Sequence, residues 1–263
     1  YTLIRTWTVT DAYGNTLSET REVNVIDTQA PTITKQSSGM TVECDGTGNT
    51  AELTAWLDSH GGATAFDACG SVTWSHNFTG LSDLCGSTGS ATVIFKATDE
   101  CGNSRTTTAT FTIVDQTAPV VTTTAGDLER TVECSDVQAI ADAIALAPAA
   151  TDNCSNVSIH LVSDVTTANC GNTYVRVRQW NFTDECNNTS ATYTQTITVI
   201  DQTVPVISTT AGDLDRTVEC SDAQAIADAI ALAPAATDNC SNVSIHLVSD
   251  VTTANCGNTY VRV

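Results

Sequence analysis

The sequence predicts an all-β protein made of tandem two-layer sandwiches, each with one short helix inserted, joined end to end in an extended array. The first observation is repetition, because residues 115–177 and 201–263 lie 86 residues apart and differ at only five positions. The second is the alternation of apolar and polar residues, which in residues 1–10 has the period of a half-buried strand. The third is a proline near the start of each repeat, which fixes φ, cannot extend a sheet and indicates a stiff boundary.

Each repeat ends in a predicted β-hairpin. Its turn begins with Asp and ends with Asn, residue types that bond back to turn amides and tolerate positive φ. The turns lie at residues 11–15, 99–103 and 184–188. The strands before them are predicted at 1–10, 91–98 and 174–183, and the strands after them at 19–26, 107–114 and 192–200.

One short helix is predicted in the first half of each repeat. Ser135 and Asp136 can cap a segment with apolar residues at helical spacing, and Pro148 ends it. The corresponding segment of the preceding repeat carries Trp56 and Leu57 at this spacing. Six or seven short strands and one helix in so little chain indicate a two-layer sandwich.

The repeat period also predicts the domain organisation. Residues 1–27 are the C-terminal part of a repeat, 28–115 and 116–201 are complete repeats, and 202–263 are the N-terminal part of a further repeat. Because the chain starts and stops at the same point of the repeat, inside a predicted strand, we expect it to be a segment of a longer polypeptide.

Charge and cysteine content limit the partners and the compartment. The chain has 10 Lys and Arg against 30 Asp and Glu, and its net charge of −20 disfavours nucleic acid and anionic membranes but favours divalent cations. Eleven cysteines without a C-x-x-C or H-x-x-x-H motif indicate disulfides rather than zinc. No run of 18 apolar residues occurs, so no membrane anchor is predicted within the segment. These disulfides predict an extracellular location.

The order of short motifs resembles a known family. Each repeat reads T-V-E-C, then (in the repeat at 116–201) A-T-D-N-C-S-N-V-S, T-D-E-C-N-N and T-I-T-V-I-D-Q-T before proline. This order resembles HYR and HYR-like domains, which are immunoglobulin-like modules of animal receptors and of bacterial surface arrays. The cysteine pattern is similar to that of giant Bacteroidetes surface adhesins, including gliding-motility adhesins exported by the type IX secretion route. The resemblance implies tandem immunoglobulin-like sandwiches at a cell surface.

Cysteine pairing is predicted by reach within one repeat. A strand of about ten residues, roughly 33 Å long, separates Cys170 from Cys186, whereas bridged Cα atoms lie at about 5.5 Å. A second strand separates Cys154 from Cys170. The predicted bonds are Cys134–Cys170, Cys154–Cys186 and, by analogy, Cys44–Cys85 and Cys69–Cys101. If the segment after Cys154 folds into a hairpin, the pairs become Cys154–Cys170 and Cys134–Cys186. The last copy, with Cys220, Cys240 and Cys256, is expected to find its fourth cysteine outside the chain.

Aspartates at the predicted linkers and turns are the one constellation with metal-binding chemistry. If the strands alternate in direction, the loops that hold Asp152 and Asp184 face the linker at Asp115. Carboxylate and carbonyl oxygens are the ligands that Ca²⁺ prefers, so an ion is predicted that stiffens each junction. The alternative is that these aspartates only cap turns and hydrate the surface. The sets are Asp27 with Asp67 and Asp99, Asp115 with Asp152 and Asp184, and Asp201 with Asp238.

These features predict a structural role rather than catalysis. We expect a stalk or filament segment of a secreted repetitive bacterial adhesin, which gives reach, stiffness and display for adhesion or gliding. Its expected partners are neighbouring repeats, other copies in a filament or a surface glycan. The alternative is a carbohydrate-binding module of an extracellular enzyme, with Trp74 or Trp180 as the stacking residue. No G-x-S-x-G motif, catalytic carboxylate pair or phosphate loop occurs, so no enzyme is predicted.

Overall fold

The computed structural model of the chain describes residues 1–255, 257 and 260–263. Its internal contacts define two units. Unit 1 comprises Tyr1–Ala118, Asp152–Asn156 and Asp184–Asn188, and unit 2 comprises Pro119–Thr151, Val157–Thr183 and Thr189–Val263. The predicted pairing of Cys256 outside the chain falls outside the described residues. The four-part division of the sequence stays a prediction, and the two units are not those four parts.

Unit 1 contains eight strands, one α-helix and one turn of 3₁₀-helix at His60–Gly62. The helix, α1, spans Thr50–Asp58. The strands are β1 (Thr2–Thr10), β2 (Thr16–Asn24), β3 (Thr32–Lys35), β4 (Met40–Glu43), β5 (Thr64–Phe66), β6 (Val72–His76), β7 (Gly89–Asp99) and β8 (Ser104–Val114). They form a four-stranded sheet in the order β4-β8-β7-β6 and two smaller sheets, β3-β5 and β1-β2. Strand β4 runs parallel to β8, and the other pairs of the large sheet are antiparallel.

The core of unit 1 lies between the large sheet and α1. Alternate residues of β7 and β8 point inward, and the fully buried side chains include Phe95 and Phe111. Trp56 of α1 packs on both, with ring centroids at 5.2 and 5.5 Å, and its indole N–H donates to Ser38 O at 2.9 Å. The predicted helix with Trp56 on its inner face is therefore confirmed.

The first hairpin, β1-β2, departs from the half-buried pattern that the sequence predicts. Its residues are exposed on both faces, and Trp7 and Val23 are 49% and 51% exposed. No other strand of the described chain pairs with it. A hairpin without a second layer has nothing to bury its apolar face against, although its turn closes as expected.

Unit 2 contains two helices, α2 (Val137–Ala145) and α3 (Ala223–Ile230). Its strands are β9 (Val120–Val121), β10 (Arg130–Glu133), β11 (Ala150–Thr151), β12 (Val157–Ala168), β13 (Tyr174–Asp184), β14 (Tyr193–Ile200), β15 (Val206–Ile207), β16 (Ala236–Thr237), β17 (Thr252–Ala254) and β18 (Tyr260–Arg262). The large sheet has the order β10-β14-β13-β12, with β10 parallel to β14. The pairs β9-β11, β15-β16 and β17-β18 form small sheets.

The core of unit 2 repeats the arrangement of sheet against helix. Ile197 and Val199 of β14 are buried with Ala143 of α2. The fully buried Gln195 amide donates to Leu128 O at 2.8 Å and to Ala143 O at 3.0 Å, which ties the sheet to the helix. Arg178 donates to Ile144 O at 2.6 Å, at the C-terminal end of α2. A cation at this end of a helix also interacts favourably with the helix dipole. Burial lowers the pKa of this guanidinium.

Helix α2 starts where the sequence predicts. Asp136 is the N-cap, and its Oδ1 accepts from the Ala139 N–H at 2.9 Å. Asp222 makes the same bond to Ala225 in α3. Both complete repeats thus combine sheets with one short helix, and the predicted all-β sandwich class is confirmed. No helix among the described residues is long and apolar enough to cross a membrane.

Candidate functional site: the repeat junctions

The disulfides join residues of successive repeats. In unit 1, Cys44 bonds to Cys154 and Cys85 to Cys186, with Cα–Cα distances of 6.0 and 5.2 Å. Cys154 and Cys186 lie on loops that belong to the following repeat in sequence but to unit 1 by their contacts. In unit 2, Cys134 bonds to Cys240 with a Cα–Cα distance of 5.9 Å. We call each set of contacts around these bonds a junction.

This pairing corrects the sequence prediction. The expected bonds within a repeat, in both alternatives, are wrong, because the reach argument compared only cysteines of the same repeat. As predicted, Cys170 and Cys186 at the two ends of β13 do not bond to each other. In the described part of the chain, four cysteines are exposed and free: Cys69, Cys101, Cys170 and Cys220.

The same backbone contact occurs in both junctions. The Ser87 N–H donates to Cys154 O at 2.9 Å in unit 1, and the Asn172 N–H donates to Cys240 O at 2.9 Å in unit 2. The residue before each donor is a glycine with positive φ, Gly86 at 56° and Gly171 at 60°. A Cβ on Gly86 would lie 2.7 Å from Cys154 O, and one on Gly171 would lie 2.8 Å from Cys240 O. Close approach of the two backbones therefore requires glycine at this position.

A glutamate fastens the linker in both junctions. Glu43 Oε1 accepts from the Gln116 N–H at 2.7 Å and from the Thr117 hydroxyl at 2.8 Å. These bonds hold the pKa of Glu43 below its usual value, the Gln116 N–H having the largest effect. Glu133 accepts in the same way from the Gln202 N–H at 3.0 Å and the Thr203 hydroxyl at 3.1 Å.

A pair of carboxylates, from the buried Asp115 and the half-buried Asp152, lies at the junction of unit 1. Carboxylate oxygens of Asp115 and Asp152 lie within 4.8 Å of each other and of the Cys154 sulfur, which the disulfide occupies. Asp115 Oδ1 accepts from the Thr117 N–H at 3.1 Å, and Asp152 Oδ1 accepts from the Cys154 N–H at 2.8 Å. The second oxygens, Oδ2 of each residue, are buried and have no hydrogen-bond partner in the described structure.

The electrostatics of Asp115 are unfavourable for its charged form. Only 8% of the residue is exposed, and this burial raises its pKa. The Thr117 N–H offsets part of the shift. The negative charges of Asp152 and Asp184 then raise the pKa further. An uncompensated pair of this kind destabilises the fold, so a proton or a cation between the carboxylates would stabilise it.

The other predicted aspartates divide into two groups. Asp27 and Asp67 approach each other like Asp115 and Asp152, with carboxylate oxygens within 4.8 Å. Asp201 lies next to Glu133 and to Asp238, whose pKa is lowered first by the Cys240 N–H and also by the Asp201 side chain. The predicted pairs are thus brought together at all three linkers.

The turn aspartates Asp99 and Asp184 have another role. Each accepts from the backbone N–H and the side-chain amide of the asparagine four residues later, Asn103 or Asn188, at 2.8–2.9 Å. The Asn188 amide also donates to Asp115 O at 3.1 Å. Asp184 therefore orients the linker through Asn188 and is not part of the close carboxylate pair.

The tryptophans predicted for sugar stacking are engaged in packing. Trp180 is 3% exposed, and the Arg178 guanidinium lies 4.6 Å from its ring centroid. Trp74 is half-buried and stacks on the His60 imidazole with centroids 4.8 Å apart. A sugar ring cannot reach the face of Trp180, and His60 covers one face of Trp74.

Sequence reasoning missed the glutamate and the glycine of the junction. The signal for Glu43 and Glu133 was present, because each repeat has Glu immediately before its first cysteine. The Cys-Gly dipeptide at Cys85 and Cys170 likewise recurs in each repeat. Neither pattern shows which residues the glutamate and the glycine contact, because those residues lie about one repeat further along the chain.

One known protein family matches a segment of the chain that corresponds to one repeat. Residues 117–199 match the family described as HYR-like domain with 4 cysteines, and this segment contains Cys134, Cys154, Cys170 and Cys186. The predicted resemblance to HYR-like domains is confirmed for that segment. No curated protein matches the chain.

Solved structures that resemble the chain include several protocadherins. A cis-dimer structure of protocadherin gammaB7 EC3-6 has 15% identity and a TM-score of 0.30, over 75% of this chain and 59% of that one. The mouse clustered PcdhgC3 EC1-3 structure has 12% identity and a TM-score of 0.28, over 76% and 77%. Human protocadherin-24 EC1-2 has 11% identity and a TM-score of 0.27, over 66% and 99%. The chain spans less than two thirds of the protocadherin gammaB7 structure.

Proposed function

We propose that the chain is a structural segment of a secreted, repetitive surface adhesin, in which HYR-like repeats give reach and resist unfolding under tension. The observation that carries this proposal is that disulfides join the repeat at 28–115 to the repeat at 116–201, and that repeat to the last copy. Three such bonds also support the proposed location outside the cytoplasm, since disulfides persist in oxidising compartments. In the same proposal, the source is a Bacteroidetes gliding-motility adhesin secreted by the type IX route, on the strength of the sequence resemblance.

The disulfides overlap along the chain, and this overlap has a mechanical consequence. The bonds Cys44–Cys154 and Cys134–Cys240 have sequence separations of 110 and 106. The loop closed by the first bond contains Cys134, and the loop closed by the second bond contains Cys154. A pull on the two ends therefore passes through both bonds and bypasses most of the enclosed residues. The shortest covalent path uses about 90 residues, so its fully extended length is about 300 Å, against about 900 Å for the reduced chain.

Single-molecule force spectroscopy on the full chain, tethered at residues 1 and 263, tests this function. We expect the oxidised chain to reach about one third of the contour length of the reduced chain, because two disulfides carry the load. The variant with Cys134→Ala and Cys240→Ala is a matched control that loses one bond and should extend to about 530 Å. An oxidised wild-type contour between about 530 and about 640 Å, the lengths that the two patterns of bonds within each repeat would give, would overturn the proposal.

We further propose that Ca²⁺ occupies the junctions. The support comes from Asp115 and Asp152, whose unpartnered, buried Oδ2 atoms are oxygen ligands of the kind that Ca²⁺ takes. These two carboxylates supply the charge, and backbone carbonyls and water complete a set of six to eight oxygens. The equivalent pairs Asp27 with Asp67 and Asp201 with Asp238 would hold the same ion in their junctions. Its effect would be to remove the repulsion between the carboxylates and stiffen the linker.

A further inference from the structure

The bonded cysteines divide into two kinds, according to whether the partner lies in the following or the preceding repeat. The first and third cysteines bond to the following repeat, as Cys44 and Cys85 show. The second and fourth bond to the preceding repeat, as Cys154 and Cys186 show. The bond Cys134–Cys240 has the same register, because it joins a first cysteine to the second cysteine of the next repeat.

The free cysteines fall at the positions that this rule leaves without a partner in the chain. Cys69 and Cys101 are the second and fourth cysteines of the repeat at 28–115, and Cys170 is the third cysteine of the repeat at 116–201. Cys220 is the first cysteine of the last copy. All four are exposed. They are equivalent to cysteines that form disulfides elsewhere in the same structure.

The backbone at the last copy has the junction conformation without its contact. Gly257 corresponds to Gly86 and Gly171 and has a φ of 64°, close to their 56° and 60°. No described atom lies within 4 Å of a Cβ placed on Gly257, whereas Gly86 and Gly171 face the loop of a following repeat. The positive φ of this glycine is therefore a property of the repeat itself and does not require contact with the loop of a following repeat.

We propose that the four free cysteines are docking positions for further copies of the repeat: Cys170 and Cys220 bond a following copy, and Cys69 and Cys101 bond a preceding one. Two disulfides per junction would then join every pair of successive repeats into a continuous covalent ladder. This inference rests on the proposed stalk function. It adds the rule by which the repeats of such a stalk are cross-linked. It commits to one partner, a repeat with the same four-cysteine pattern.

Each bond forms by two thiol–disulfide exchanges with a small disulfide such as oxidised glutathione. The thiolate of one cysteine attacks the small disulfide and releases one thiol, which leaves a mixed disulfide on the protein. The thiolate of the second cysteine then displaces the remaining thiol. The two cysteines lose two protons and two electrons, and the small disulfide is reduced to two thiols.

Disulfide mapping of a lengthened chain tests the ladder. Residues 178–263 are appended after Val263, the protein is refolded in a glutathione buffer, and free thiols are alkylated before proteolysis and mass spectrometry. We expect Cys170 bonded to the cysteine that corresponds to Cys186 in the added segment, and Cys220 to the one that corresponds to Cys240. Cys69 and Cys101 should stay alkylated in the same sample, as internal controls.

The reciprocal chain carries residues 116–173 before Tyr1. Here Cys69 and Cys101 should become bonded, to the added copies of Cys134 and Cys170, while the original Cys170 and Cys220 stay alkylated. Serine in place of the added Cys186 equivalent in the first chain should release Cys170 alone and leave the Cys220 bond intact. This single release also shows that the added segment has folded.

Two results would overturn the ladder. One is bonding of Cys170 to a cysteine of its own repeat, and the other is full alkylation of all four cysteines in both lengthened chains. Either result, with the force–extension result on the original chain unchanged, would reject the ladder and keep the stalk function. A failure of the force experiment alone would reject the stalk function. The rule for which cysteines of successive repeats bond to each other would then still stand.

Discussion

Two carboxylates carry the chemistry of the junction at the scale of single residues. Asp115 is raised in pKa chiefly by its burial, so the folded state favours its protonated form. This contribution stabilises the fold at pH values below the pKa of the unfolded chain and is lost as pH rises through the higher pKa of the folded state. At neutral pH the pair therefore destabilises the fold unless a cation lies between the carboxylates.

Thermal unfolding of the full chain tests the cation. We expect Ca²⁺ to raise Tm at pH 7, by an amount equivalent to about 2.7 kcal/mol when the ion is at 100 times its Kd. The effect should shrink as pH falls into the range where Asp115 is protonated, because the proton and the ion compete for the same oxygens. In chelator at pH 7, Asp115→Asn should melt above the wild type, since the substitution removes a buried charge.

The double variant Asp115→Asn with Asp152→Asn should lose the part of the Ca²⁺ response that comes from this junction. Asp58→Asn is the matched control, because Asp58 is an exposed carboxylate at the end of α1 and takes part in none of the junction contacts, and its Ca²⁺ response should equal that of the wild type. A rise in Tm that is the same in all three proteins would mean that the ion acts on the net charge of the chain and not at this pair.

At the scale of elements, the short helix was predictable because its signals are local. Asp136 is followed by apolar residues at helical spacing, and the structure places its carboxylate on the Ala139 N–H. The Asp-to-Asn turns were predictable for the same reason, and the turn at Asp11 closes on Asn15 although Tyr13 stands where later repeats have cysteine. The turn therefore does not depend on the disulfide.

Substitution of the helix cap measures its contribution. Asp136→Ala should destabilise α2 by about 1 kcal/mol, because the Ala139 N–H loses its acceptor. Hydrogen exchange of the peptide that covers 137–145, followed by mass spectrometry, should then be faster. The control is Asp142→Ala on the same helix, whose carboxylate only accepts from the Gln138 side chain. Equal acceleration in both variants would show that general helix propensity, and not the cap, sets the exchange rate.

The disulfides act at the scale of the whole molecule. Cys44 and Cys154 are 3% and 4% exposed and belong to the hydrophobic core of unit 1 with Phe95 and Phe111. A small core benefits from such a bond, because the crosslink reduces the conformational entropy of the unfolded chain.

Removal of this bond should lower the stability of unit 1. We expect Cys44→Ala with Cys154→Ala to reduce the free energy of unfolding by about 4.7 kcal/mol, the amount for a closed loop near 100 residues. Denaturant unfolding followed by fluorescence measures the shift. Cys69→Ala is the control, because Cys69 is exposed and free, and it should leave the midpoint unchanged. A similar midpoint for the double variant and the control would mean that the bond contributes nothing to unit 1.

The sequence by itself determined the strands, the capped helix, the Asp-to-Asn turns and the placement of the Asp152 and Asp184 loops beside the linker at Asp115. These features follow from periodicity, caps and turn residues, which act over a few positions. The fold of the whole chain sets which cysteines bond, and it separates Asp99 and Asp184 from the close carboxylate pairs. The bonded cysteines are 101 to 110 residues apart, and partners at such separations are chosen by the packing of one repeat against loops of the next. A local sequence pattern therefore shows where a cysteine lies within its repeat, and only the folded chain shows with which cysteine it bonds.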